Sequence, residues 1–288
     1  MAVDIQRFEA GPVINARIAV IQWVVRNMET NRIVTKPKVY LVGKQTLNEE
    51  AFARFLQDES CDFTTDTPVA AEKLAEAAGR VCYMSYGKGR KTNKEYLDRI
   101  IESKHGSVLE HAVWNFLFTG ISRSLTHELI RHRAGVGISQ LSQRYVDESD
   151  ARYCMPPLIR DNPTLHEQWI KAIEASHQSY LELANSLEKV VAEKHPELSG
   201  TDRRKMVRQT ARSVLPNACE TKLFFTANAR ALRHIIELRG SIHADAEIRE
   251  LAVEIAKIMR KESPNLFADV NIVKEKGEEV VSITYSKV

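Results

Sequence analysis

Apolar positions recur at three- and four-residue spacing along much of this chain and alternate or cluster in a few short runs, which predicts many helices and few strands. Thr164 to Lys194 is the longest helical stretch. Trp169, Ile173, Tyr180, Leu183, Leu187 and Val191 form its stripe, and His195-Pro196 ends it. Ala246 to Lys261 carries Ile248, Leu251, Ile255 and Ile258 on one face. Asn228 is placed to cap a helix that runs to Gly240. Glu49–Gln57, Asn93–Lys104 and Arg203–Leu215 read as further helices, the last stopped by Pro216. Thr67-Pro68 reads as cap and first turn of a helix through Ala78. A helix over 121–133 has Ile121, Leu125 and Leu129 on one side.

The strand candidates are Val39–Val42 with Gly43 just past its end, Val113–Phe118, a short strand or turn at Phe224-Phe225, and Val280–Tyr285. Arg17 to Val25 fits a strand or a short helix, and Pro37 marks a boundary. Residues 1–36 therefore read as an N-terminal extension and 37–288 as a single domain. With no regular strand–helix–strand alternation, the fold class is α+β.

Composition adds little to this picture. The 288 residues are 43% hydrophobic and 27% charged, ordinary for a globular chain with a sizeable core. A formal charge of +3 is too mild to indicate a nucleic-acid partner. The apolar patch Ile18–Val25 is too short to span a bilayer. Cys61, Cys82, Cys154 and Cys219 are scattered without a CxxC pair, which fits a reducing cytoplasm. The expectation is a soluble cytoplasmic protein with no membrane and no nucleic acid as partner.

Charge matters locally. Ser124 to Tyr145 ends a helical pattern on Arg131, His132 and Arg133, then runs through Gly135 and Gly137 into Ser139, Gln140, Ser142, Gln143, Arg144 and Tyr145. Guanidinium groups beside glycines and hydroxyls suit an anionic, planar, hydrogen-bonding ligand. Cations that merely complement a helix C-terminus fit the same residues. Arg239 follows Leu232, Ile235 and Ile236 by seven, four and three residues, so it projects from their apolar face and needs an anion or acceptors there. Glu237 or Glu247 could supply an internal salt bridge. Arg230 and His234 share an adjacent face. Arg212 precedes the Pro216 break, where it could equally be a plain surface cation.

Other chemistries find no support. Five residues turn a helix through roughly 500°, so His127 and His132 stand about 140° apart, too far for a zinc helix. Tyr86–Thr92 is a basic glycine loop but lacks the P-loop spacing, and neither a GxSxG nor a GxGxxG motif occurs. No metal is expected.

Taken in order, HxSxxEH at His105–His111, RHR at 131–133 with a downstream SQRY, ARSVLP at 211–216 and NARALRHIIELR at 228–239 resemble the flavin-dependent thymidylate synthases. The similarity runs from about Lys38 to the C-terminus. What the resemblance implies is an antiparallel sheet core flanked by helices, and a homotetramer with active sites shared between subunits. The implied reaction is reductive methylation of dUMP to dTMP, with methylenetetrahydrofolate as carbon donor, FAD carrying the hydride and NADPH as reductant.

By position, the resemblance assigns His105, Ser107, Arg131, His132, Arg133, Gln140, Asn228, Ala229, Arg230 and His234 to FAD. Glu128, Leu129, Ile130, Arg131, Gln140, Leu141, Ser142, Gln143, Arg144, Arg212 and Arg239 fall to the nucleotide. Within that set Arg144 and Arg212 would neutralise its phosphate, and Arg239 would activate the pyrimidine as the catalytic residue. Cys82 falls where the family commonly has a serine near the flavin. The family pattern places seven residues between RHR and its serine, whereas Ala134 to Leu141 makes eight here. A related methylase acting on UMP as well as dUMP is the nearest alternative, and a non-catalytic nucleotide- or RNA-binding protein is the more distant one.

Overall fold

The computed structural model describes residues 32–288. The stretch Arg17–Val25 lies outside them. The chain divides into two compact units: Lys36–Leu141 with Glu220–Val288, and Ser142–Cys219 with the described part of Met1–Thr35.

The larger unit is built on a four-stranded antiparallel sheet. In spatial order its strands are Lys38–Lys44, Val113–Ser122, Glu220–Asn228 and Val136–Gln140. Alternation in the central strand turns Trp114, Phe116 and Phe118 inward, each fully buried. They meet Phe225 and Leu223 of the neighbouring strand and a helical layer that includes Leu97, Leu125, Leu129, Leu232, Ile235, Ile236, Leu251, Ile255 and Met259. The α+β class expected from the pattern is the one observed, and its main sheet is antiparallel, as the resemblance implied.

Several boundaries differ from expectation, each for a local reason. Gly43 lies inside the first strand, at a register shift where an added Cβ would stand 2.6 Å from Asn115 Oδ1. Thr67 does not cap its helix, which runs Ala70–Val81. Its hydroxyl donates to the buried Glu72 carboxylate at 2.6 Å and accepts from the Val69 amide at 3.2 Å, one residue ahead of the helix. The Phe224-Phe225 segment is part of a nine-residue strand. The terminal strand is Glu278–Ile283, and it pairs with Val270–Glu275, which the apolar pattern did not reveal. The basic loop Tyr86–Thr92 wraps the buried Arg80, whose guanidinium donates to the carbonyls of Ser85, Lys88 and Arg90.

The smaller unit rests on the helix Pro163–Lys194, capped by Asn162, whose side chain accepts from the Thr164 and Leu165 amides. Ile170, Ile173, His177, Tyr180 and Val191 are its buried positions. The helix Gly200–Ala211 follows and tightens into a 3-10 turn, Arg212–Val214. Two-residue parallel strands, Ile33–Val34 and Tyr153–Cys154, complete the unit.

Candidate active site

The stretch Ser124–Tyr145 is built from a short helix, a turn and an edge strand, in place of the longer helix and glycine loop expected. Ile121 and Ser122 still belong to the central strand, paired with Thr221 and Glu220. Ser122 then caps a short helix, Arg123–Leu129, by accepting from the Leu125 amide at 3.0 Å. Arg131, His132 and Arg133 follow the helix in an extended turn. Gly135, at φ +70°, reverses the chain into the edge strand Val136–Gln140. Gly137 is a strand residue opposite Thr226 and not part of a loop.

This turn lies beside the N-terminus of the Ala229–Arg239 helix. Asn228 Oδ1 accepts from the Ala231 amide at 2.9 Å, and the Asn228 amide donates to the Gly135 carbonyl at 3.1 Å. Arg131, His132, Arg133 and His234 line one cavity of about 470 Å³. Asn228, Arg230 and His234 line a second of about 430 Å³, with Glu110 at its edge. His105, Ser107, Cys82 and Arg230 line a third of about 370 Å³. Shared Arg230 and His234 link the three. Segments separated by more than a hundred residues in sequence thus converge on one surface.

Arg239 occupies the centre of a half-buried polar cluster. Its Nη1 lies 2.5 Å from Glu128 Oε2, its Nη2 donates to the Glu128 carbonyl at 3.4 Å, and its Nε donates to His132 Nε2 at 3.0 Å. The salt bridge expected with Glu237 or Glu247 is not the one formed. Glu247 instead accepts from the Ser122 amide and hydroxyl, and Glu237 from the Lys287 amide. As acceptor from a guanidinium, His132 Nε2 must be unprotonated. Burial, then the Arg239 charge, then His234 lower its pKa from 6.5 to about 4.

Other residues flagged in the sequence sort by exposure. Leu129 and Ala229 are fully buried in the core, so only their backbone groups could face a ligand. Ile130 is 45% exposed. Arg230 is exposed and already paired with Glu110 at 2.6 Å. Arg131 and Arg133 have no ion pair or side-chain hydrogen bond among the described residues. Leu141 is half-buried, its amide donating to the Lys222 carbonyl. Gln140 donates through Nε2 to Thr126 Oγ1 and Thr221 Oγ1. Neither threonine carried a signal in the sequence. Thr221 arrives through the strand register, two residues before Leu223, the partner of Gln140.

Ser142, Gln143, Arg144 and Arg212 belong to the smaller unit. Ser142 Oγ accepts from the Arg144 amide at 3.3 Å, and buried Gln143 donates to Cys219 Sγ. Arg144 Nε is buried with no hydrogen-bond partner, and Arg212 is half-buried with no ion pair among the described residues. A buried guanidinium N–H without an acceptor is costly unless a ligand supplies one.

A planar cofactor with a pyrophosphate needs cations without partners, a helix N-terminus and imidazole or amide groups, and the larger unit presents all three around Asn228. A family model described as thymidylate synthase complementing protein matches residues 65–265. A flavin-dependent thymidylate synthase of Mycobacteroides abscessus is 46% identical over 221 residues, spanning 76% of this chain and 86% of that protein. The chain belongs to the flavin-dependent thymidylate synthase family. Similar relatives of the same description occur in Mycobacterium avium, 47% identical over 221 residues (76% of this chain, 86% of that protein), and in Mycolicibacterium vanbaalenii. The latter is 49% identical over 203 residues, or 69% of this chain and 80% of that protein. A flavin cofactor follows from membership of the flavin-dependent thymidylate synthase family, and the donor set around Asn228 and Arg131–Arg133 fits one. No helix among the described residues is long and apolar enough to cross a membrane.

Proposed function

We propose that this chain reductively methylates dUMP to dTMP, with methylenetetrahydrofolate as the carbon donor and NADPH as the reductant. FAD, when bound, supplies the hydride. Arg131, His132, Arg133, Asn228, Arg230 and His234 would hold the flavin, with His105 and Ser107 at the edge of the same surface. The observation that carries the reading is the Arg239 guanidinium, held by Glu128 and an unprotonated His132 within a cluster of further cations.

A guanidinium fixed in a partly dry site stabilises negative charge developing on a pyrimidine ring far better than a mobile cation in water. Arg239 is therefore assigned to the ring and favours its ionised form. Arg144 and Arg212, neither with a counterion among the described residues, are assigned to the phosphate dianion. Leu129, Ile130 and Ala229 would contribute backbone groups only, and Ser142, Gln143 and Leu141 complete the nucleotide contacts. This division asks the chain for charge stabilisation and positioning and needs no thiolate.

The reading includes the fold of the family, a single catalytic domain over 37–288 and a homotetramer that shares its sites. Its test is direct. Purified protein reconstituted with FAD should show an oxidised-flavin absorption spectrum and form dTMP from dUMP only when folate and NADPH are both present. A colourless protein that FAD cannot reconstitute contradicts it.

A further inference from the structure

The amide of Gln140 has a fixed orientation, and the residues that fix it have no assigned role. Gln140 ends the edge strand and is half-buried. Its Nε2 donates to Thr126 Oγ1 at 3.2 Å and to Thr221 Oγ1 at 3.3 Å. Both threonines are nearly sealed from solvent, at 2% and 1% exposure. Thr126 sits on the Arg123–Leu129 helix and gives its own hydroxyl hydrogen to the Arg123 carbonyl at 2.9 Å. A hydroxyl has one hydrogen to give. With that hydrogen spent, Thr126 can only accept from Gln140.

A flipped amide would set Gln140 Oε1 against the lone pairs of Thr126, a buried acceptor facing an acceptor. The flip is therefore disfavoured. Nε2 stays turned toward the threonines, and Oε1 is left with no partner among the described residues and with accessible surface. Gln140 thus offers a ligand a carbonyl, not an amino group.

We propose that Thr126, supported by Thr221, is a positioning residue that presents Gln140 Oε1 as a fixed acceptor to a hydrogen-bond donor of the bound ligand. This rests on the proposed function, and on the family resemblance that assigns Gln140 to both FAD and the nucleotide. The donor class is an imide N–H or a sugar hydroxyl. The imide of an ionised pyrimidine is deprotonated, so beside Arg239 the match is a nucleotide hydroxyl or the flavin imide.

The test uses the full chain and four variants: Thr126→Val, Thr126→Ser, Gln140→Ala and the Thr126→Val/Gln140→Ala pair. FAD dissociation constants, the KM for dUMP and exchange of the Gln140 side-chain amide protons by NMR are measured for each. Thr126→Val should weaken one ligand roughly fivefold to tenfold, the scale of one oriented hydrogen bond, and speed amide exchange in the ligand-free protein. Thr126→Ser should restore both. In the Gln140→Ala background Thr126→Val should add nothing, which a merely structural role would not produce. Loss on the FAD arm names the flavin imide as donor, and loss on the dUMP arm names the nucleotide. Unchanged binding in Thr126→Val, or a full-sized effect without Gln140, overturns the proposal. If the unmutated chain binds neither FAD nor dUMP, the proposed function fails. The amide-exchange comparison then decides the orientation alone, and unaltered exchange in Thr126→Val overturns it.

Discussion

His132 accepts a hydrogen bond from the Arg239 guanidinium, so the site depends on its being neutral. Its folded pKa of about 4 lies below the ordinary 6.5, because burial and the Arg239 and His234 charges disfavour imidazolium. A histidine depressed in this way contributes stability above the unfolded value. That contribution is lost progressively as pH falls from about 6.5 through 4, because the unfolded chain takes up the proton first. In ligand-free protein, the His132 ring protons should titrate with a midpoint near 4 by NMR. A midpoint near 6.5 would mean that Nε2 does not accept from Arg239. Replacing Arg239 by alanine should lower turnover by at least about a hundredfold, the scale of losing a preorganised charge, while the flavin spectrum persists. Near-normal turnover would remove Arg239 from the chemistry. That Arg239 leaves an apolar helix face was legible from its spacing to Leu232, Ile235 and Ile236. Its partner was not, because Glu128 lies 111 residues away and reaches it only through tertiary packing.

At the level of elements, the Arg131–Arg133 turn is set by what flanks it. Ser122 starts the preceding helix late, and Gly135 sends the chain back into the sheet. A Cβ on Gly135 would lie 2.5 Å from Asn228 Nδ2, on top of the strain of φ +70°. Gly135→Ala should therefore lower stability by about 1–3 kcal/mol and weaken FAD binding, as read by thermal denaturation and flavin titration. Unchanged FAD affinity would uncouple the turn from the cofactor. Asn228→Ala removes the cap of the Ala229–Arg239 helix and should cost about 1 kcal/mol in the same denaturation assay.

The long apolar stripes made the helices 163–194 and 246–262 readable, and Trp114, Phe116 and Phe118 identified the central strand. Val136–Gln140 was not readable as a strand. Its two-residue alternation is short and polar, and pairing with Leu223–Ala227 is what makes it one. Val270–Glu275 is likewise defined by its hairpin partner.

For the whole molecule, four ordered motifs were enough to indicate the family, which the relatives now show. The division into two compact units was not legible, because Ser142–Cys219 interrupts the larger unit without a linker-like run at either boundary. The same boundary parts Gln140 and Leu141 from Ser142, in the stretch where this chain carries one residue more than the family pattern. The proposed homotetramer predicts a mass of about four 32.7 kDa chains by light scattering. A monomer that is fully active would contradict shared sites.

The central claim is that this chain methylates dUMP with a hydride carried by its flavin. The most direct measurement is release of tritium from carbon 5 of labelled dUMP by FAD-loaded protein supplied with methylenetetrahydrofolate and NADPH. The account predicts release that tracks dTMP formation and stops when folate is withheld. FAD-loaded, folded protein that binds dUMP yet releases no tritium with both co-substrates present would contradict it.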